Sequence, residues 1–178
     1  YKLPVVIKRA NETNQTLSPL VFIHGGPGFT MIDRVDSYIS DLEYLNNRDL
    51  VFFDKRGEGY SKPRLDYDNY NTQADYENLY NEKMQELNKA GITENNITLS
   101  QFNIHLEPIV REKYERILQD FQDDGIYPKY FSVENIAHDM ESLRQSLGYE
   151  QFILFGQSFG TRQSLEYMKQ YPQKTEKV

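Results

Sequence analysis

The sequence predicts an α/β domain: a mostly parallel sheet with helices on both of its faces. Short apolar runs at Leu20–His24, Leu50–Phe53 and Gln151–Phe155 each end in a glycine-bearing turn, as buried strands do. Segments with apolar residues at helical spacing separate them. The order strand–helix–strand, then helix–strand–helix, requires crossover connections and hence parallel pairing.

In chain order, Lys2–Lys8 holds Val5-Val6-Ile7 and reads as a strand. The stretch from Asn11 to Pro19 is polar and turn-like. Leu20–His24 is stopped by Gly25-Gly26-Pro27-Gly28. Tyr38, Ile39, Leu42 and Leu45 recur at helical spacing, with Asn46-Asn47 at the expected helix end. Residues 63–131 differ in character, being polar and rich in Asn, Gln, Glu and Tyr. Val110, Tyr114, Ile117, Leu118 and Phe121 form an apolar stripe that predicts an amphipathic helix, Asp75–Ala90 suggests another, and Gly91 and Gly125 mark breaks. So long a stretch is not a structureless loop, and it reads as a mostly helical insertion. Ser132 is a candidate N-cap with Glu134 in the first turn, and Gly148 a candidate C-cap, for a helix carrying Val133, Ile136, Ala137, Met140, Leu143 and Leu147. Thr161–Tyr171 is predicted helical up to Pro172, and Lys177-Val178 to open a further strand.

Composition narrows the function. The 178 residues carry a formal charge of −7, which argues against nucleic acid or an anionic membrane as the partner. No cysteine is present, so disulfides, thiol catalysis and cysteine-ligated metals are excluded. No apolar run reaches the roughly 20 residues that span a bilayer. No signal peptide is visible at Tyr1, which fits either its absence or its removal, and the compartment stays open. Asn-x-Thr sequons at Asn11, Asn14 and Asn96 are read as chance in an Asn-rich chain.

The chemistry centres on Gly156-Gln157-Ser158-Phe159-Gly160, placed between a predicted strand and a predicted helix. A serine on such a tight turn projects its hydroxyl away from the sheet. Gly156 and Gly160 let the chain turn and let strand and helix approach closely. The helix that follows aims free N–H groups at the reacting atom, and the Phe159 N–H can donate to an oxyanion. His24-Gly25-Gly26-Pro27-Gly28 stands where a second oxyanion donor is expected. Asp54-Lys55-Arg56-Gly57-Glu58-Gly59-Tyr60-Ser61 is read as shaping the neighbouring loop through Asp54, Arg56 and the glycines.

Those three motifs in that order, with a helix ending at Tyr171-Pro172, resemble the proline iminopeptidase and tripeptidyl aminopeptidase group of α/β-hydrolases. The resemblance covers the chain outside 63–131 and the extreme N-terminus. It implies a partial α/β-hydrolase fold and a serine aminopeptidase that frees N-terminal residues, often proline, from peptides through an acyl-enzyme. By that resemblance Ser158 is the nucleophile, Gly156, Gln157 and Gly160 shape its elbow, and N–H groups of Phe159 and of Gly25 or Gly26 form the oxyanion hole. No metal or organic cofactor is implied, and the partner is a peptide substrate. An esterase or other acyl hydrolase of the same fold, and a non-catalytic binding protein on that fold, are the alternatives.

The sequence departs from the family in one respect. The fold's triad runs Ser, then Asp or Glu, then His, and no histidine follows Ser158. His24 is read as structural, His138 as a surface or packing residue, and His105 as part of the insertion. The expectation is therefore an N-terminal portion of a longer enzyme, with the remaining half in the same or a second chain, and with the Ser158 strand left as an exposed sheet edge. The acidic pair that would bind a substrate amino group belongs to the family's cap region and has no assignment here. The insertion is closer to the tripeptidyl type, walling the substrate site or forming an interface, and its tyrosines are read as helix packing.

Overall fold

The computed structural model describes residues 1–11, 17–42, 45–65 and 72–178, with side chains described outside 72–75. The sequon at Asn14 falls outside them. Two compact units divide the chain, one of residues 1–65 and 129–178, the other of residues 66–128.

The first unit is built on a five-stranded sheet of order β1-β3-β2-β4-β5, with β1 at Val5–Lys8, β2 at Leu20–Ile23, β3 at Leu50–Phe53, β4 at Phe152–Gly156 and β5 at Thr175–Lys177. Strands β2, β3, β4 and β5 pair in parallel, and β1 lies antiparallel on β3, Val5 opposite Phe53. β2 and β3 are buried along their whole length, which is why both read as unbroken apolar runs. Alternate residues serve opposite faces. Val21, Ile23, Val51 and Phe53 pack with α5 (Val133–Leu147) and with Tyr167 of α6 (Phe159–Gln170). Leu20, Phe22, Leu50 and Phe52 pack with Met31 and with Val35 of α1 (Val35–Asp41). Each such side chain taken from water contributes about 1.5–3 kcal/mol, so the two clusters fix the sheet between its helices.

Local signals set the ends of α5. The Ser132 side chain accepts from the Asn135 N–H, and Gly148 closes the helix at φ 74°, its N–H reaching back to Arg144 and Gln145. A buried network ties α5 to α6: Glu141 accepts from Arg144 at 2.9 and 2.7 Å, from Gln145 at 2.8 Å and from the Tyr167 hydroxyl at 2.9 Å. Arg144, with Tyr167 and Gln145, holds the Glu141 carboxyl down at about 2, against the opposing effect of its burial.

Two expectations change. Helix α1 begins at Val35 and its last turn closes at Leu42, several residues earlier than the apolar spacing around Tyr38–Leu45 suggests. The strand bearing Ser158 is not the sheet edge: β5 pairs with β4 at Phe152 and Ile153, so β4 is interior there and β5 is the edge. The residues of β5 are mostly exposed and include Lys177, which suits an edge strand.

The second unit is helical, with α2 at Thr72–Lys89, α3 at Leu99–His105 and α4 at Glu107–Asp123. Helix α3 has no counterpart in the sequence reading, although Thr98 and Gln101 form a complete capping box. Met84, Leu87 and Leu106 make its small core. Gly91 and Gly125 have φ of 80° and 72°, consistent with breaks. Among the described residues, no helix is long and apolar enough to cross a membrane.

Candidate active site

The site lies at the carboxyl ends of β2 and β4, where a parallel sheet leaves helix N-termini and loop amides facing outward. β4 runs into Gly156, Ser158 caps α6, and the chain reverses between them. Ser158 sits at φ 52°, ψ −122°, the one non-glycine residue with positive φ among those described. For a residue with a Cβ this conformation costs on the order of 1–3 kcal/mol, and it persists because its surroundings impose it.

The surroundings are tight backbone contacts. The Gln157 N–H donates to the Ile23 carbonyl at 2.9 Å, joining the elbow to the end of β2. A Cβ on Gly160 would stand 2.0 Å from that same carbonyl oxygen, and one on Gly156 would stand 2.7 Å from the Thr161 Cα. Only glycine fits at either position. On the other side, a Cβ on Gly25 would come within 2.7 Å of the Ser158 Cβ and 3.2 Å of its hydroxyl oxygen. The Gly25 backbone therefore lies directly against the serine. Gly26 follows at φ 84° beneath the Phe29 ring, which a Cβ there would strike at 2.3 Å. Phe159 opens α6, where an N–H has no carbonyl one turn earlier in the helix to receive it.

These groups border one pocket of about 250 Å3, lined by His24, Gly25, Gly26, Phe29, Thr30, Met31, Arg34, Tyr38, Gln157 and Ser158. The Tyr38 hydroxyl donates to the Gln157 side chain at 3.2 Å, and the Arg34 guanidinium lies 5.1 Å from the centre of the Phe29 ring. The Ser158 hydroxyl has no hydrogen-bond partner among the described residues, and none of them form a cluster able to hold a metal ion.

Each histidine has a place. His24 is buried; its Nδ1 pairs with the Gly25 carbonyl at 2.6 Å, which assigns the proton to that nitrogen. Burial, reinforced by Lys55, pushes its pKa down to about 4, so it is neutral at pH 7. His138 meets the Tyr171 hydroxyl at 2.6 Å on the surface of the first unit. His105 ends α3 in the second unit.

The turn after β3 is more deeply built into the site than its sequence suggests. Asp54 accepts from the N–H groups of Met31 at 2.6 Å, Ile32 at 3.2 Å and Tyr60 at 2.9 Å, bracing the loop that lines the pocket. Arg56 does not pair with Asp54. It forks onto Asp139 of α5, both bonds 2.6 Å, and also donates to the Tyr130 carbonyl. Lys55 and Glu58, which the sequence reading passed over, form a buried ion pair of 3.1 Å under the glycine loop. Their spacing of three across Gly57, just after a buried strand, was the available signal. Phe29, Arg34 and Tyr38 gave none, because a loop and the following helix bring them to the pocket.

A mostly parallel sheet with a serine of positive φ on the turn between strand and helix, faced by a glycine loop, is the core geometry of the α/β-hydrolase class. Residues 18–178 match the model of the α/β-hydrolase fold family, and the chain belongs to that family. It is 30% identical over 150 residues to "Carboxylesterase B" of Mycobacterium tuberculosis, covering 82% of this chain and 25% of that protein. It is 26% identical over 168 residues to "Serine protease Hip1" of the same organism, covering 93% of this chain and 29% of that one. The chain thus spans less than a third of either relative's length. Among solved structures, a proline iminopeptidase of Mycobacterium smegmatis superposes with a TM-score of 0.52 at 15% identity, over 97% of this chain and 38% of that one, a likeness of fold.

Proposed function

We propose that Ser158 is the nucleophile of an acyl-transfer hydrolase, and that its substrates are peptides cleaved at their N-terminus. The observation that carries this reading is the positive φ of Ser158, held between the Gly25 backbone and the first turn of α6. Strain of that kind has a use when it presents a hydroxyl to substrate. The substrate carbonyl enters the pocket above Gly25, and the Ser158 oxygen adds to its carbon. The resulting oxyanion accepts from the N–H of Phe159 and from that of Gly25 or Gly26. The serine proton passes to a base and then to the leaving amine, and water releases the acyl group by the reverse path. The order of the fold's triad places that base and its carboxylate partner beyond the nucleophile, in the remaining half of the core, in the same or a second chain. Residues 63–131 are, on this reading, a helical insertion into the core.

Similarity to a protein named for serine protease activity supports a peptide substrate, and similarity to one named carboxylesterase supports the second reading, a simple ester. The two separate in one experiment on the full-length protein. Proline and alanine anilides are turned over and short-chain nitrophenyl esters poorly, and a fluorophosphonate labels Ser158. Full turnover and labelling in Ser158→Ala overturn the nucleophile assignment, whereas turnover of esters alone overturns the peptide substrate.

A further inference from the structure

The buried ion pair Lys55–Glu58 lies against the glycine loop beside Ser158 and has no part in the acyl transfer described above. Lys55 is 1% exposed. Its ammonium donates to the carbonyl of His24 at 3.1 Å and lies 3.4 Å from that of Gly25, and it pairs with Glu58 Oε2 at 3.1 Å. Glu58 Oε1 accepts from the Gly28 N–H at 3.2 Å. The pair therefore holds the glycine loop at both ends.

The peptide geometry gives this contact a direction. The single cis peptide among the described residues is elsewhere, at Lys62–Pro63, so the His24–Gly25 and Gly25–Gly26 units are trans. In a planar trans unit the carbonyl and the N–H point opposite ways. Two consecutive carbonyls drawn to one buried ammonium turn the N–H groups of Gly25 and Gly26 together to the other side. Successive N–H groups turned one way form an anion-binding concavity. That other side is the pocket, where Gly25 abuts Ser158. A cation on the carbonyl oxygens also polarises both units, strengthening their N–H groups as donors.

We propose that Lys55 is a positioning residue for acyl transfer: anchored by Glu58, it grips the His24 and Gly25 carbonyls from beneath and aims the Gly25 and Gly26 N–H groups at the oxyanion. The inference rests on the assignment of Ser158 as nucleophile. Burial lowers the Lys55 pKa, and the charge and hydrogen bond of Glu58 oppose that shift.

The test uses the full-length protein with an alanine or proline anilide and a fluorophosphonate. Lys55→Met removes the ammonium and keeps the length of the side chain. Losing aim at one or two oxyanion donors lowers kcat by about 10- to 100-fold, somewhat less than deleting a donor outright. KM moves by less than about threefold, because the contact matters only as charge develops. Lys55→Met leaves Glu58 buried without its cation, so the double variant Lys55→Met/Glu58→Gln removes both charges and serves if the single variant does not fold. If Lys55 only balances charge, the double variant recovers wild-type kcat; if it aims the amides, kcat stays low. A folded variant of either kind with wild-type kcat, or a loss confined to KM, overturns the proposal. Labelling of Ser158 in the wild type separates the two readings. Without it the nucleophile assignment fails, and this inference with it. With it and with fully active Lys55 variants, the role of Lys55 alone fails.

Discussion

Replacing Gly160 by alanine tests the elbow with no need for an activity. Gly160 stands in the first turn of α6, at a backbone conformation open to any residue. Helix propensity alone predicts that alanine stabilises it by up to about 1 kcal/mol. The packing predicts the opposite sign. The new Cβ would lie 2.0 Å from the Ile23 carbonyl oxygen and 2.8 Å from that of His24. Both obstacles are backbone, at the end of a fully buried strand, and neither can swing aside. Relieving the overlap means separating α6 from β2 by more than about 1 Å. Overpacking of this kind costs about 1–3 kcal/mol. The same movement strains the Gln157 N–H bond to Ile23, worth about 1 kcal/mol. Set against the propensity gain, the net loss is about 1–3 kcal/mol. With a urea slope of about 1–3 kcal/mol per molar, the unfolding midpoint falls by about 0.3–3 M. An unchanged or higher midpoint would refute the close approach of strand and helix that underlies the whole site.

The remaining predictions concern charge. Glu141→Gln removes the negative charge and one of the two acceptor oxygens shared by Arg144, Gln145 and the Tyr167 hydroxyl, leaving a buried cation without its counter-charge, and costs about 3–5 kcal/mol in urea unfolding at pH 7. Because the Glu141 carboxyl is held at about 2, its contribution is complete above the unfolded value of 4.5 and fades as pH falls towards 2. A loss in Glu141→Gln that stays constant down to pH 2 contradicts that assignment. His24 acts in a higher window. Its folded pKa of about 4 lies below the ordinary 6.5, so the unfolded chain takes up a proton between those values that the folded chain does not. Stability from this group is complete above pH 6.5 and declines as pH falls to 4, by about 3 kcal/mol in all. In His24→Gln that part of the decline disappears, which unfolding curves at pH 7 and pH 4.5 measure. Equal declines in both proteins would mean that His24 is readily protonated in place.

What local chemistry governs could be read directly from residues. The ends of α5 follow from Ser132 and Gly148, each acting within one turn of itself. Strands β2 and β3 follow from apolar runs cut off by glycine. The turn at Ser158 follows from glycines two residues to either side. Where the reading missed, distant contacts decide. The spacing around Tyr38 places a helix but not its start, because burial of Met31 and Val35 against Phe22 and Phe52 pulls the start forward. The outer side of β4 is covered by β5, which the sequence opens only at Lys177 but which runs over Thr175–Lys177, because its neighbour offers a ladder of free backbone groups.

The family, the alternation of strand and helix, and the position of Ser158 are thus written in the sequence, since each depends on side chains close together in the chain. The placement of Gly25 against Ser158, the pocket between them, and the Lys55–Glu58 pair beneath are not. Those depend on β2, β3 and β4 lying side by side with their carboxyl ends together. Residues more than 100 positions apart become neighbours only once that sheet has formed, as Gly25 and Ser158 do.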